Sequence, residues 1–235
     1  EIHWRDWSSD VCSSDLAVLV GDAADETHYG YFFCLSEAVT AGPGGLLSLF
    51  GPEVRLRHLR RELREERPLE RLAAAYGALC AEAGHDFSTP LAGRLATTYL
   101  VVTLWLGRLL HNGDVHCMAS SLEARVPFSA RPLLELARRV HPDFAFRQGR
   151  EKHALREAAR PFVPESIYQR RKSALPKDQL LGPAYQAALR PLLDEQGAAL
   201  GEWLDVAALR ALCAQPTLGE DERALLFNVL GLCHW

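Results

Sequence analysis

Asp22, Asp25 and Glu26 place three carboxylates within five residues, directly after the apolar run Val18–Val20 and Gly21. Acids clustered beyond a strand end suit Mg²⁺ and the phosphates it carries, because a hard cation takes oxygen ligands. The same acids also suit a turn that caps the next helix, with Asp22 or Asp25 as N-cap. A second set lies in Gly149–Phe162, GREKHALREAARPF. Gly149 frees a turn and Pro161 ends the helix, which is expected to hold Lys152 in its first turn and Arg156 one turn on, on the same face. A helix N-terminus offers unpaired N–H groups to an anion, and a lysine there adds positive charge, so phosphate binding and a solvated surface lysine both fit. A third set, Glu123 and Arg125, stands just before Pro127 and reads equally as a site or as a structural pair.

The elements that must position these side chains follow from pattern. Val18–Val20 has no helical spacing and reads as a buried strand, with Gly21 allowing a sharp turn at its carboxyl end. In open α/β sheets the crevice beyond the strand ends is where ligands bind. Pro127 forces Val126 into extended backbone, so the chain leaves a helix there, after a face (Met118, Leu122) that reads as buried. The rest is helical in pattern. One short helix is expected over Phe32–Val39, ended by the Ala41–Gly45 turn, before a brief apolar stretch at Leu46–Phe50. Glu53–Arg67, with Val54, Leu56, Leu59 and Leu63 at helical spacing, reads as a solvated amphipathic helix rather than a nucleic-acid patch. Leu69–Ala83 is opened by Pro68 and ended by Gly84. Leu91–Leu110 is the most apolar helix, stopped by Asn112–Gly113, and three further helices are expected at Pro183–Glu195, Asp205–Ala214 and Leu218–Leu232.

Residues 1–16 are set apart by their content and read as an adapter-derived artefact. They lack apolar periodicity and the features of a signal peptide, and TGG-AGT-TCA-GAC-GTG-TGC-TCT-TCC-GAT, as in a sequencing-library adapter, spells Trp7–Asp15. The expected domain is therefore 17–235, the carboxyl-terminal part of something longer. Without that segment, 25 basic residues face 26 acidic ones, and the net charge falls from −4 to −1. Charge gives no support to a nucleic-acid partner. The six cysteines include no CxxC pair, as in small core residues of a reducing, cytoplasmic compartment. The longest apolar run, Leu100–Leu110, is broken by Arg108, so no membrane partner is expected.

Taken together, these stretches resemble the carboxyl-terminal synthetase domain of the glutamine-hydrolysing asparagine synthetase family. Its SGEGADE-like loop is matched by VGDAADE (Val20–Glu26), and its SMAxxLEARVPFLD-like segment by CMASSLEARVPFSA (Cys117–Ala130). An EKxxLREA helix is matched by Glu151–Ala158 and an RRKxxxP loop by Arg170–Pro176. Order and spacing agree from Val18 to Lys177. The departures are Val20 for Ser, Asp22 for Glu, Ala23 for Gly, THYGY (Thr27–Tyr31) for LFGGY, Val115 for Arg, and Ser129–Ala130 for Leu–Asp.

The resemblance implies a mostly α fragment of an α/β domain of the adenine nucleotide α-hydrolase kind, with most of the parallel sheet missing. One clear strand is expected, at Ala17–Val20, without need of a sheet partner. It implies ATP and Mg²⁺, an acyl-adenylate formed from aspartate or another carboxylate, and amide formation with glutamine-derived ammonia. Asp25 matches the Mg²⁺-binding acid, Lys152 the lysine that steadies phosphates, and Asp22 the acid that takes a proton from the attacking nitrogen. Glu123 joins Asp22 and Lys152 as a catalytic candidate, and Gly21, Glu26 and Arg156 join Asp25 and Lys152 as nucleotide-binding candidates. An amino-terminal glutaminase domain and an SGGxDS phosphate loop are expected in the intact protein, and the family admits a homodimer. Asp22 pulls its carboxylate back by one methylene, which keeps other amide- or lactam-forming ligases of the family (β-lactam synthetase-like or peptide cyclase-like) in view. A non-catalytic helical binding module is the reading from a different class.

Overall fold

The computed structural model describes residues 17–49, 52–172 and 181–234. The artefact reading of residues 1–16 and the Ser173–Pro176 half of the RRKxxxP loop lie outside them. Among the described residues one sheet is present, of two parallel strands, β1 (Ala17–Leu19) and β2 (Glu123–Arg125). Ala17 is opposite Glu123 and Leu19 opposite Arg125, and Val20 N–H donates to the Arg125 carbonyl at 3.0 Å. The strand expected at Ala17–Val20 therefore has a partner after all. Pro127 keeps Val126 non-helical (φ −114°, ψ 84°), and the chain before it is free to extend alongside β1. The rest of the regular structure is helix, so the chain is a mostly helical fragment of an α/β domain.

The chain divides into two units, of which the first holds the described residues up to Ala41 together with Cys80–Lys172. Its main support is the helix Pro90–Leu100. Thr89 caps it by accepting from Ala92 N–H at 3.1 Å, and Pro90 at its first position sacrifices no hydrogen bond. Gly93, Ala96, Thr97 and Leu100 are buried, a spacing of three and four that lays one stripe against the core. A Cβ on Gly93 would meet the Thr40 carbonyl oxygen at 2.1 Å, so only glycine lets the short helix Glu37–Thr40 approach this closely.

That long helix does not stop at Asn112–Gly113. It passes through π-helical turns at Val101–Leu106 and continues as Gly107–Met118. Gly113 is not a stop but a clearance, since a Cβ there would sit 3.1 Å from Asp22 Oδ2. Met118 is 57% exposed, which corrects the buried face expected for it. Phe32–Val39 is a 3₁₀ turn (Phe32–Leu35) and a separate short helix rather than one helix. Among the described residues no helix is long and apolar enough to cross a membrane.

The second unit holds Gly42–Leu79 and the chain beyond Lys172. Its core is Leu189, Leu193, Leu209, Leu212, Leu226 and Val229 with their neighbours, carried by helices Leu181–Glu195, Val206–Cys213 and Glu220–Cys233. Asp205 caps the second of these by accepting from Ala208 N–H at 2.9 Å. The stretch expected as one amphipathic helix over Glu53–Arg67 is two, Pro52–Arg57 and Arg61–Glu65. Between them Leu59 bridges to Leu204, and backbone bonds Arg60 N–H to Trp203 O (3.0 Å) and Asp205 N–H to His58 O (2.8 Å) replace helical ones.

Candidate functional site

Beyond β1 the chain turns through Gly21 and Asp22 to Ala23, whose φ of 72° opens the helix Ala24–Thr27. No side chain caps that helix, so the capping role open to Asp22 or Asp25 is not filled by either. After it, Tyr29 takes a φ of 60°. Ala23 and Tyr29 both stand where the resembled family has glycine, and both hold the left-handed backbone that glycine would take freely. Each carries strain of about 1–2 kcal/mol. Gly30 is different. A Cβ there would lie 1.8 Å from Asp25 Oδ1 and 2.7 Å from Asp25 Cα, so the loop closes onto Asp25 only because residue 30 has no side chain.

Asp25 is the centre of the arrangement. Lys152 Nζ lies 2.8 Å from its Oδ1, and Lys172 Nζ lies 2.6 Å from its Oδ2. Burial alone would raise the Asp25 carboxyl, but the hydrogen bonds and charges of the two lysines outweigh it and hold the group below its usual range. The Lys172 ammonium also sits 4.4 Å above the Tyr31 ring. Tyr31 in turn donates its hydroxyl to Glu26 Oε1 at 2.7 Å and packs against Trp105 with ring centroids 5.6 Å apart. Burial first, and then the bond to Glu26, pushes the Tyr31 phenol far above its ordinary value, so it remains a donor.

Lys152 is not inside the first helical turn as expected. It is the residue before the helix His153–Ala159, in left-handed backbone with φ 53°, and its carbonyl accepts from Arg156 N–H at 2.8 Å. Arg156 turns inward to the chain itself. Its Nε donates to the Glu151 carbonyl (3.0 Å), its Nη2 to Glu151 Oε1 (2.5 Å), and its Nη1 to the carbonyls of Tyr168 (3.1 Å) and Arg170 (2.9 Å). Glu151 Oε1 also accepts from Lys172 N–H at 3.1 Å. The guanidinium–carboxylate pair thus pins the segment that delivers Lys172, which favours a positioning role for Arg156 over the phosphate contact expected of it. The same segment borders a cavity of about 580 Å³ lined by Arg150, Arg170, Arg171 and Lys172 among others.

The other candidates are dispersed. Asp22 is half-buried over Gly113, and no hydrogen bond or ion pair engages it among the described residues. Glu26 is buried and bonded to Tyr31. Gly21 has open space around it. Glu123 is exposed, paired with Arg125 at 3.2 Å, and opposite Ala17, away from the strand ends where Asp25 sits. The geometry does not bring Glu123 into the cluster. Lys172, Tyr31 and Gly30 belong to it, although residue types and spacing gave them no role. Lys172 was visible only as the lysine of the RRK segment.

Whether these residues suit Mg²⁺ can be read from Asp25 Oδ1. It is buried, and among the described residues the Lys152 ammonium at 2.8 Å is the one group it meets, which leaves a second lone pair open. No group of three or more His, Cys, Asp or Glu side chains that could hold a metal comes together among the described residues. One carboxylate with a free lone pair, and no cage, fits a Mg²⁺ that arrives on phosphates and draws its other ligands from them and from water.

The family model described as Asparagine synthase matches residues 13–235. The chain is 34% identical over 79 residues to asparagine synthetase [glutamine-hydrolyzing] 1 of Bacillus subtilis (strain 168), a stretch covering 33% of this chain and 12% of that protein. It is 35% identical over 79 residues to asparagine synthetase [glutamine-hydrolyzing] 3 of the same organism, covering 34% of this chain and 13% of the relative. It is also similar to Amidase chry2 of Gibberella zeae, at 39% identity over 72 residues, 28% of this chain and 11% of that protein. The aligned stretches thus span only about an eighth of the curated relatives' length.

Proposed function

Since this chain belongs to the asparagine synthase family, we propose that it supplies the phosphate-holding part of an ATP-dependent amide ligase that makes asparagine from aspartate. The observation that carries this reading is the pair of lysines on Asp25 at the carboxyl end of β1, two cations on one carboxylate, with one positive charge left for an anion.

In the proposed reaction a carboxylate oxygen bonds to the α-phosphorus of ATP as the bond from that phosphorus to pyrophosphate breaks. The nitrogen of ammonia then bonds to the acyl carbon, loses a proton, and AMP leaves. Lys152, fixed before its helix, offsets charge that builds on the phosphates in the first step. Asp22, which no hydrogen bond or ion pair engages among the described residues, takes the proton in the second. Mg²⁺, when bound, neutralises phosphate charge, and Asp25 would hold it through one oxygen. Ammonia and the pyrophosphate-gripping loop are proposed to come from a glutaminase domain and an SGGxDS segment, neither of which occurs within these 235 residues.

A second reading, another amide or lactam ligase of the family, is favoured by Tyr29. In place of the family's glycine it lines a cavity of about 440 Å³ with Thr27, Thr98 and Tyr99, beside the acid loop, and so reshapes the space a substrate would meet. Exchange of pyrophosphate into ATP, measured on the full-length protein with aspartate and a panel of other carboxylates, separates the two. Aspartate-dependent exchange that Lys152→Ala abolishes supports asparagine synthesis, and exchange with another carboxylate alone supports the second reading. Exchange that is unchanged by Lys152→Ala removes Lys152 from the phosphate site, and the absence of exchange with every carboxylate supports a binding module.

A further inference from the structure

We propose that the cavity of about 440 Å³ beside the acid loop is a binding site for a small aryl carboxylate, with the ring among Tyr29, His85 and Tyr99 and the carboxylate at Arg138. This adds a ligand class to the second reading above, and it stands on the cavity's own geometry whether or not the Asp25 cluster holds phosphates.

The cavity has the size that takes one small organic molecule. Three of the residues that wall it are aromatic. The His85 and Tyr99 rings lie 4.9 Å apart, tilted by 37° to each other, and Tyr29 lines the cavity with them. Leu95, Val102 and Leu134 add apolar wall. Apolar surface with a few polar groups at fixed places is what orients a flat organic ring.

Two features held against local preference converge on it. Tyr29 keeps left-handed backbone (φ 60°) where a glycine would be free of strain, and the ring that this backbone carries is buried as cavity wall. Its hydroxyl meets Thr98, whose own proton goes to the Arg94 carbonyl at 2.8 Å, so the ring is fixed at its far end as well. Val102 and Thr103 reach the cavity from the π-helical turns, a departure from α-helix that is frequent at functional sites. Neither feature supplies charge to Asp25 or its two lysines. Arg138 gives the cavity its own charge. It is exposed just after the helix Arg131–Ala137, and no ion pair engages it among the described residues. By contrast, Arg131 on that helix is paired with Glu135 at 2.8 Å, and Arg94 with Asp143 at 2.7 Å. A guanidinium without a partner beside an aromatic wall matches a planar carboxylate carried by a ring. Among the described residues no acidic side chain lines the cavity, so an amine would find nothing there to neutralise it.

The test is calorimetric titration of indole-3-propionate into the 235-residue chain, with indole-3-propionamide and hexanoate as probes that lack the charge and the ring. The indole acid should bind about tenfold more tightly than either. Arg138→Gln, an exposed change that leaves the walls intact, should weaken the indole acid about tenfold and the amide by less than about twofold. Tyr99→Leu should weaken both indoles about fivefold and leave hexanoate as it was. Lys152→Gln should leave all three probes unchanged. The proposal is overturned if the wild-type chain binds no indole-3-propionate, if hexanoate binds as well as the indole acid, or if Arg138→Gln loses nothing. Loss of binding in Lys152→Gln overturns it too, because the acid then sits at the phosphate cluster. Each of these failures leaves the pyrophosphate-exchange test of the second reading standing.

Discussion

Replacing Gly30 with Ala is the sharpest test of how the acid loop is built. The added Cβ would sit 1.8 Å from Asp25 Oδ1 and 2.7 Å from Asp25 Cα. Rotating the carboxylate relieves the first overlap but breaks the 2.8 Å contact with Lys152. Nothing short of moving backbone relieves the second, and the bond from Gly30 N–H to the Asp25 carbonyl, 2.8 Å long, closes the loop at that point. Overpacking of this kind costs about 1–3 kcal/mol, and loss of a charge-assisted contact adds about 1–2 kcal/mol. The sum, about 2–5 kcal/mol, should appear in a denaturant titration as a lower midpoint with an unchanged slope. Gly21→Ala is the control, since nothing lies within 4 Å of the added Cβ and its φ is ordinary. It should shift stability by less than about 1 kcal/mol. A Gly30→Ala chain as stable as Gly21→Ala would refute the close approach of residue 30 to Asp25.

Arg156→Lys should cost about 2–3 kcal/mol despite keeping the charge, because an ammonium cannot replace a fork that meets Glu151, Tyr168 and Arg170 at once; equal denaturation midpoints would disprove this. Ala23→Gly should leave stability within about 1 kcal/mol, since relief of the φ 72° strain offsets the lost methyl, whereas Ala24→Gly, buried in a helix, should cost about 1–2 kcal/mol by the same assay. Burial, and then the charge of Lys152, hold His28 below the ordinary histidine value. The unfolded chain takes up a proton near pH 6.5 that the folded one refuses, so stability should begin to fall below about pH 6.5. His28→Gln should flatten that limb of the pH–stability curve, and an unaltered limb would assign it to another group.

Legibility in the sequence followed how local each cause is. The acid loop, and Pro68 and Gly84 at the two ends of the helix Pro68–Glu82, were readable because capping and turn chemistry act over a few residues. The β1–β2 pairing was not, because three-residue strands carry no periodicity and their partner lies over a hundred residues away. The helix runs through Asn112–Gly113 against local propensity, and Gly113 there lies close to Asp22, a tertiary approach that no local pattern shows. Lys152 and Lys172 become neighbours through Asp25 only once Arg156 and Glu151 have folded the intervening chain, so the second lysine had no local signature. Ala23 and Tyr29 looked like losses of glycine. The backbone keeps the left-handed turns regardless, with the surrounding packing holding the strain.

The π-helical turns at Val101–Leu106 set an angular phase between two halves of one rod. Each residue of an α-helix advances about 100° around its axis, and a π-turn accommodates one residue beyond the α pattern. Removing a single residue between Val101 and Leu106 would let the rod close into uninterrupted α-helix while everything beyond keeps its phase, because the π-turn is what absorbs the extra residue. Removing one between Gly107 and Gly113 would instead rotate the rest of the rod by about 100°, and a bulkier neighbour would replace Gly113 beside Asp22. The π-turns are therefore the point at which chain length can change without altering what overhangs the loop.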